Sequence, residues 1–376
     1  MFENLSLNIL QHYWWILVSL LGALFVFLTF VQGGQTLLYT IGKTEGEKTI
    51  ILNTLGRKWE FTFTTLVTFG GAFFASFPLF YATSFGGAYW VWYAILFVFV
   101  IQAVAYEYRK KPSNLLGAKT FEIFLVINGL LGTILIGTAV GTFFNGAMFS
   151  LNELNQVDWQ TSTRGLEAVL TFHNVALGLT VFLLARVLGL LYFIFTIDHD
   201  VIVARSRRQL FITSIMFLVF FLYFAVWLLL KEGFAVNPET GEVFMEKYKY
   251  LHNLLQMPVI AILFLIGVVG VLWGIISTLL TGSNKGFWFT GTGTVFTVLA
   301  LFLIAGFNNT AFYPSVYDLQ SSLTIQNASS SKFTLVTMSY VSLLIPFVLA
   351  YIVYFWRAMN RKKITEEEMK EESHVY

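Results

Sequence analysis

"PVIAILFLIGVVGVLWGII", residues 258–276, contains no charged, hydroxyl or amide side chain, so it is apolar at every angle of a helical wheel. At 1.5 Å per residue the run covers about 28 Å, close to the ~30 Å hydrocarbon thickness of a bilayer. Backbone N–H and C=O groups find no water there and must pair within the segment or around a closed barrel. A barrel strand would alternate in polarity over about ten residues, and this stretch does not alternate. It reads as a membrane-spanning helix.

Working outward, apolar runs of similar length recur along all 376 residues. Hydropathy places nine helices at about 13–40, 61–82, 86–106, 121–144, 166–197, 210–231, 254–281, 287–306 and 333–357. Composition agrees: 57% of residues are hydrophobic and 12% charged, against roughly 25% charged in an average soluble domain. The expectation is an all-α integral membrane protein with one polytopic domain, residues 1–360. A charged tail, 361–376, follows it, and its mixed signs at helical spacing suggest a short solvated helix. "MFENLSLNILQHYWW" begins with an acid rather than a basic region, so the first hydrophobic segment is expected to be retained.

Lys and Arg set the expected orientation. The connections 41–60, 107–120, 198–209 and 282–286, with the tail from Arg357, hold 17 of the 23; the alternate connections hold Arg164, Lys231, Lys247, Lys249 and Lys332. The positive-inside bias therefore puts the N-terminus outside and the C-terminus in the cytoplasm, which requires an odd number of spans. Two outer connections, 232–253 and 307–332, are long enough to contact a partner.

A net charge of +2 gives no nucleic-acid surface. The absence of cysteine excludes disulfides, thiolate nucleophiles and cysteine-ligated clusters. There is no phosphate loop, no G-x-S-x-G elbow and no H-E-x-x-H. Of the five histidines, His12, His173, His199, His252 and His374, no two share a helical face, and the methionines are scattered. No metal or haem ligand set is expected in this chain. The glycine pairs at 33–34, 70–71 and 86–87 suit close helix packing.

Ionisable residues in or at the ends of spans are the informative ones, because a charge at the bilayer centre costs at least ~2.5 kcal/mol. Glu60 opens the second span, Glu107 closes the third and Glu122 opens the fourth, all on the expected cytoplasmic side. Two readings stand: a vestibule of proton-exchanging carboxylates, or acids of the headgroup zone that favour helix N-termini. Glu107 has Arg109 two residues away to neutralise it. His173 suits a hydrogen-bonded packing role, and Arg186 is open between snorkelling and burial. The abundance of phenylalanine, 40 residues, fits core filling and also a dry route for an apolar ligand.

"KWE" at 58–60 followed by "FGGAFFASFPLFYATSFGGAYW" at 69–90 resembles the second-helix region of subunit II of cytochrome bd-type quinol oxidases. "AYEYR" at 105–109, "PSVYDLQSSLTIQNASSSKFTLVTM" at 314–338 and "RKKITEEE" at 361–368 resemble later parts of that family in order, so the likeness spans essentially the whole chain. The resemblance implies nine helices as two four-helix bundles plus one peripheral helix, beside a subunit I that carries two b-type haems and one haem d. Subunit II ligates none. The complex oxidises quinol and reduces dioxygen to water with cytoplasmic protons, in the bacterial cytoplasmic membrane. Small single-helix subunits and a structural quinone are further candidates.

By position, Glu60 corresponds to the acid of the family's Trp-Asp motif on a proton route, with Trp59 as its neighbour. Glu122 and Glu107 match two further acidic positions; the glutamates lengthen the side chain and keep the titrating group. Two departures stand out. Gln32-Gly33-Gly34-Gln35 replaces an Asp-Gly-x-Asp stretch, and Gln102 replaces an arginine. A proton-coupled secondary transporter is the alternative, but the discontinuous spans and inverted halves it requires are not evident.

Overall fold

The computed structural model of the chain describes residues 2–111, 113–361 and 363–365. Its long helical segments are α1 (Leu7–Gln35), α2 (Glu45–Ser76), α3 (Pro78–Gly87), α4 (Tyr89–Tyr108), α5 (Ala118–Asn145), α6 (Phe172–Thr196), α7 (Asp200–Leu230), α8 (Pro258–Leu280), α9 (Gly286–Gly306) and α10 (Lys332–Met359). Eight of these are each long and apolar enough to cross a bilayer, and α2 with α3, bent by 116°, makes up to a ninth crossing among the described residues. The fold is that of an all-α membrane protein.

The bend has a local cause. Pro78 lacks an N–H and its ring clashes with the carbonyl one turn back, so α2 stops at Ser76, Phe77 leaves helical geometry, and Pro78 opens α3. Hydropathy alone runs a span over 61–82 because Phe-Pro-Leu-Phe is as apolar as a span interior. At its other end α2 starts well before the apolar run. A capping box holds that start: the Glu47 N–H donates to Thr44 Oγ1 (3.2 Å) and the Thr44 N–H to Glu47 Oε2 (3.1 Å).

α6 lies at the centre, its apolar window 83% buried. It meets α1 backbone to backbone: a Cβ at Gly33 would lie 2.0 Å from the Ala185 carbonyl carbon, and one at Gly189 would lie 2.7 Å from the Gly34 nitrogen. Only glycine permits that approach. The pair at 70–71 does not repeat the device, since a Cβ at Gly71 would meet nothing within 4 Å.

Aromatic rings fill both halves of the interior. Trp15, Phe73, Phe77, Phe80, Phe143 and Phe312 form one cluster, and Phe27, Phe30, Tyr192, Phe287 and Trp356 the other.

At one end the long connections interlock into a cap. Strands β1 (Phe149–Leu151) and β2 (Val157–Trp159) form one antiparallel hairpin, and β3 (Gly233–Val236) and β4 (Val243–Glu246) another. The 307–332 connection is threaded between them. It accepts from the Val236 N–H at Asn309 O (2.8 Å) and from the Ala147 N–H at Pro314 O (3.0 Å), while the Gln320 amide bonds both backbone groups of Val243. At the opposite end Ile364 pairs with Thr196 and Asp198 through its backbone, so the described start of the tail is extended rather than helical. The rest of the expected solvated helix lies outside the described residues.

Candidate functional site

The site is built where α2 enters its apolar run. Trp59 is buried and its ring stacks on Tyr106 of α4, 5.8 Å between centroids at 14°. Glu60, the next residue, is exposed in the first turn of the apolar run, and no described residue forms an ion pair with it. Tyr106 continues inward, because its hydroxyl accepts a hydrogen bond from Gln35 Nε2 of α1 at 3.0 Å. Rings and amides thus run from the threshold into the helix bundle.

There the two departures from the family pattern meet. Gln32 Nε2 donates to Gln102 Oε1 at 3.3 Å, both side chains fully buried. At this point this chain places a neutral amide pair. Asn128, at the start of a π-helical turn in α5 (Asn128–Gly132), donates to Val98 O at 2.9 Å and lies beside them. Gln32 Oε1, Gln35 Oε1, Gln102 Nε2 and Asn128 Oδ1 remain without protein partners. Buried polar atoms of this kind are ordinarily satisfied by ordered water.

Glu122 stands apart from this track as the hub of a brace. Arg109 reaches its Oε1 through Nη2 at 2.7 Å and Nε at 3.1 Å; the Tyr39 hydroxyl donates to Oε2 at 3.0 Å, and Lys48 lies 3.5 Å away. Glu45 completes it, 2.7 Å from Lys48 and 3.8 Å from Arg109. Buried charges persist when so paired. Arg109 therefore turns to Glu122 rather than to Glu107, which is exposed near the end of α4.

The remaining sequence candidates have structural partners. His173 Nδ1 lies 2.6 Å from the Tyr223 hydroxyl, and its ring stacks on Trp227 at 4.1 Å and 11°, as a packing histidine would. Arg186 donates to Thr36 Oγ1 at 3.0 Å and to Thr36 O at 3.4 Å, placing a cation at the C-terminal end of α1 where the helix dipole favours it. Tyr106 and Asn128 were not singled out from sequence. Their signal was a polar residue inside an apolar helix, but neither is charged.

Among the described residues no group of three His, Asp or Glu is placed to hold a metal ion. His12 bonds Asn8 O, His199 caps the Ile202 N–H, and His252 bonds Glu246, besides His173 on Tyr223.

The model of the family described as cytochrome bd terminal oxidase subunit II matches residues 10–359. Among similar proteins, the probable cytochrome oxidase subunit 2 of Haemophilus influenzae is 27% identical, covering 93% of this chain and 94% of its own. The cytochrome bd-I ubiquinol oxidase subunit 2 of Escherichia coli K12 is 26% identical over 98% of both chains. Among solved structures, a chain of the bd oxidase from Geobacillus thermodenitrificans superposes with a TM-score of 0.59 at 12% identity, covering 94% of this chain and 98% of that one.

Proposed function

The chain belongs to the cytochrome bd terminal oxidase subunit II family, and from that premise we propose that it is the haem-free half of a quinol:dioxygen oxidoreductase in a bacterial inner membrane. The match across residues 10–359 carries this reading. Its partner is a subunit I bearing two b-type haems and one haem d, which supply the electron transfer and dioxygen reduction. The helices are arranged as two four-helix bundles and one peripheral helix; the exposure of α10, only 17% buried in its apolar window, suits the peripheral place.

The chain contributes part of a cytoplasmic proton route and stabilises subunit I. Glu60 is the entry residue: it is exposed, it adjoins the Trp59–Tyr106 stack, and it leads toward the amide core. Glu107 is an exposed acid on the same side that collects protons, and Glu122, held by Arg109, Tyr39 and Lys48, keeps the entry in shape. An apolar resting place for dioxygen is a further part of this reading. A cavity of about 100 Å³, lined by Leu184, Phe217, Phe221, Val271, Val298 and Leu301, lies among α6, α7, α8 and α9.

The test is purification of the tagged chain from its membrane followed by an absorption spectrum. Co-purification of a second large subunit with b- and d-type haem bands is expected. A stable, haem-free assembly that moves a solute in liposomes by itself would overturn the reading in favour of a transporter.

A further inference from the structure

Lys58 is a charged residue in an unusual position. It is 1% exposed, its Nζ has no hydrogen-bond partner, and among the described residues no carboxylate pairs with it. Its nearest compensation is the Trp356 ring, 5.0 Å from Nζ. A cation–π contact contributes about 0.5–2 kcal/mol, whereas burying an ammonium without an acceptor costs several kcal/mol. The ring alone does not balance the charge.

The groups around it have the same deficiency. Trp356 is 8% exposed with Nε1 unpartnered, and Asn360, one turn later at the end of α10, has Nδ2 unpartnered while its Oδ1 faces the Tyr192 hydroxyl at 3.5 Å. Three donors, one of them cationic, lie at the junction of α2 and α10 and lack an acceptor among the described residues. Arg357 and Arg361 flank them in sequence and are exposed. From this basic end, α10 presents an exposed apolar surface through Phe347, Val348, Tyr351 and Tyr354, and Trp288 of α9 stands partly exposed 6.0 Å from Trp356.

We propose that Lys58, Trp356 and Asn360 form a binding site for the phosphate of an anionic phospholipid, whose acyl chains lie along α10. The donors call for an anionic oxygen acceptor, and basic pockets between membrane helices take such headgroups. The adjoining apolar face distinguishes a lipid from free phosphate, which has no use for it. The lysine stem is flexible enough to bring its ammonium to a headgroup arriving at the edge of the tryptophan.

The complex purified with its partner and stripped of lipid provides the test. Phosphatidylglycerol is expected to raise its unfolding temperature more than phosphatidylcholine at equal concentration, and Lys58→Met to abolish that difference. Equal shifts from the two lipids, or a difference that survives in Lys58→Met, overturns the proposal. Inorganic phosphate is the third arm: if it reproduces the phosphatidylglycerol shift, the site takes free phosphate and the lipid assignment is wrong. Should Lys58→Met fail to assemble, Asn360→Asp removes one of the donors and adds a negative charge to the site, and is expected to remove the lipid-specific shift. An unchanged shift in that variant is equally fatal.

Discussion

Glu60 and Glu122 look alike in sequence, each an acid opening an apolar helix, but their surroundings separate them. Glu122 is enclosed by two cations and a tyrosine, while Glu60 faces outward beside a buried tryptophan. A group that gains and loses protons needs access to water, which favours Glu60. Glu60→Gln is therefore expected to lower quinol oxidase turnover by about 10²-fold, the lower range for a positioned proton-transferring group, with haem absorption unchanged. Normal proton uptake in that variant would remove Glu60 from the route. The Gln32–Gln102 pair supports a second expectation. Gln32→Asp or Gln102→Arg alone places an unpaired charge in a fully buried site and should cost about 3–5 kcal/mol, whereas the double variant should recover most of it. Thermal unfolding of the four proteins forms the cycle that measures the coupling, and additive losses would show that the two side chains act separately.

At the scale of elements, periodicity and hydropathy made most helices legible, because a continuous apolar run has few other uses. The break at Pro78 between α2 and α3 was missed, because hydropathy runs one span over 61–82 straight through it. The side-chain pairings were harder to read. Glu107 and Arg109 adjoin in sequence, but residues two apart point to different sides of a helix, and Arg109 found Glu122 across a turn instead. Gln32 and Gln102 lie 70 positions apart, and only the packing of α1 against α4 brings them together. The cap likewise depends on tertiary contact. In it, His252 Nδ1 lies 2.7 Å from Glu246 Oε1, and Lys249 Nζ lies 3.3 Å from Oε2. Burial alone would raise the Glu246 carboxyl, but the His252 hydrogen bond and the Lys249 ammonium outweigh it and hold it below its usual 4.5. A depressed carboxyl stabilises the fold fully above its unfolded value and loses that contribution as pH falls through the folded one. Unfolding temperature should thus be insensitive to this group at neutral pH and fall below about pH 4.5, with a shallower acid decline in Glu246→Gln. Identical acid limbs for the two proteins would show that the contact contributes nothing.

For the whole molecule, charge asymmetry and architecture make one joint prediction. The end that gathers most of the Lys and Arg also contains the Glu60 threshold, the Glu122 brace and the Lys58 site, while the opposite end carries the interlocked hairpins. If the basic end faces the cytoplasm, proton entry and the hairpin cap lie on opposite sides of the membrane, as an oxidase taking its protons from inside requires. The chain has no cysteine, so single thiols can be introduced against a silent background. Leu115, 99% exposed in the 107–120 connection, and Leu154, 78% exposed between β1 and β2, mark the two ends. In intact cells with a permeabilised outer barrier, a membrane-impermeant maleimide should label Leu154→Cys and spare Leu115→Cys until the inner membrane is opened. The reverse pattern would invert the topology and place Glu60 on the wrong side for cytoplasmic proton uptake. The fold would stand, but the proton route proposed for this subunit would not.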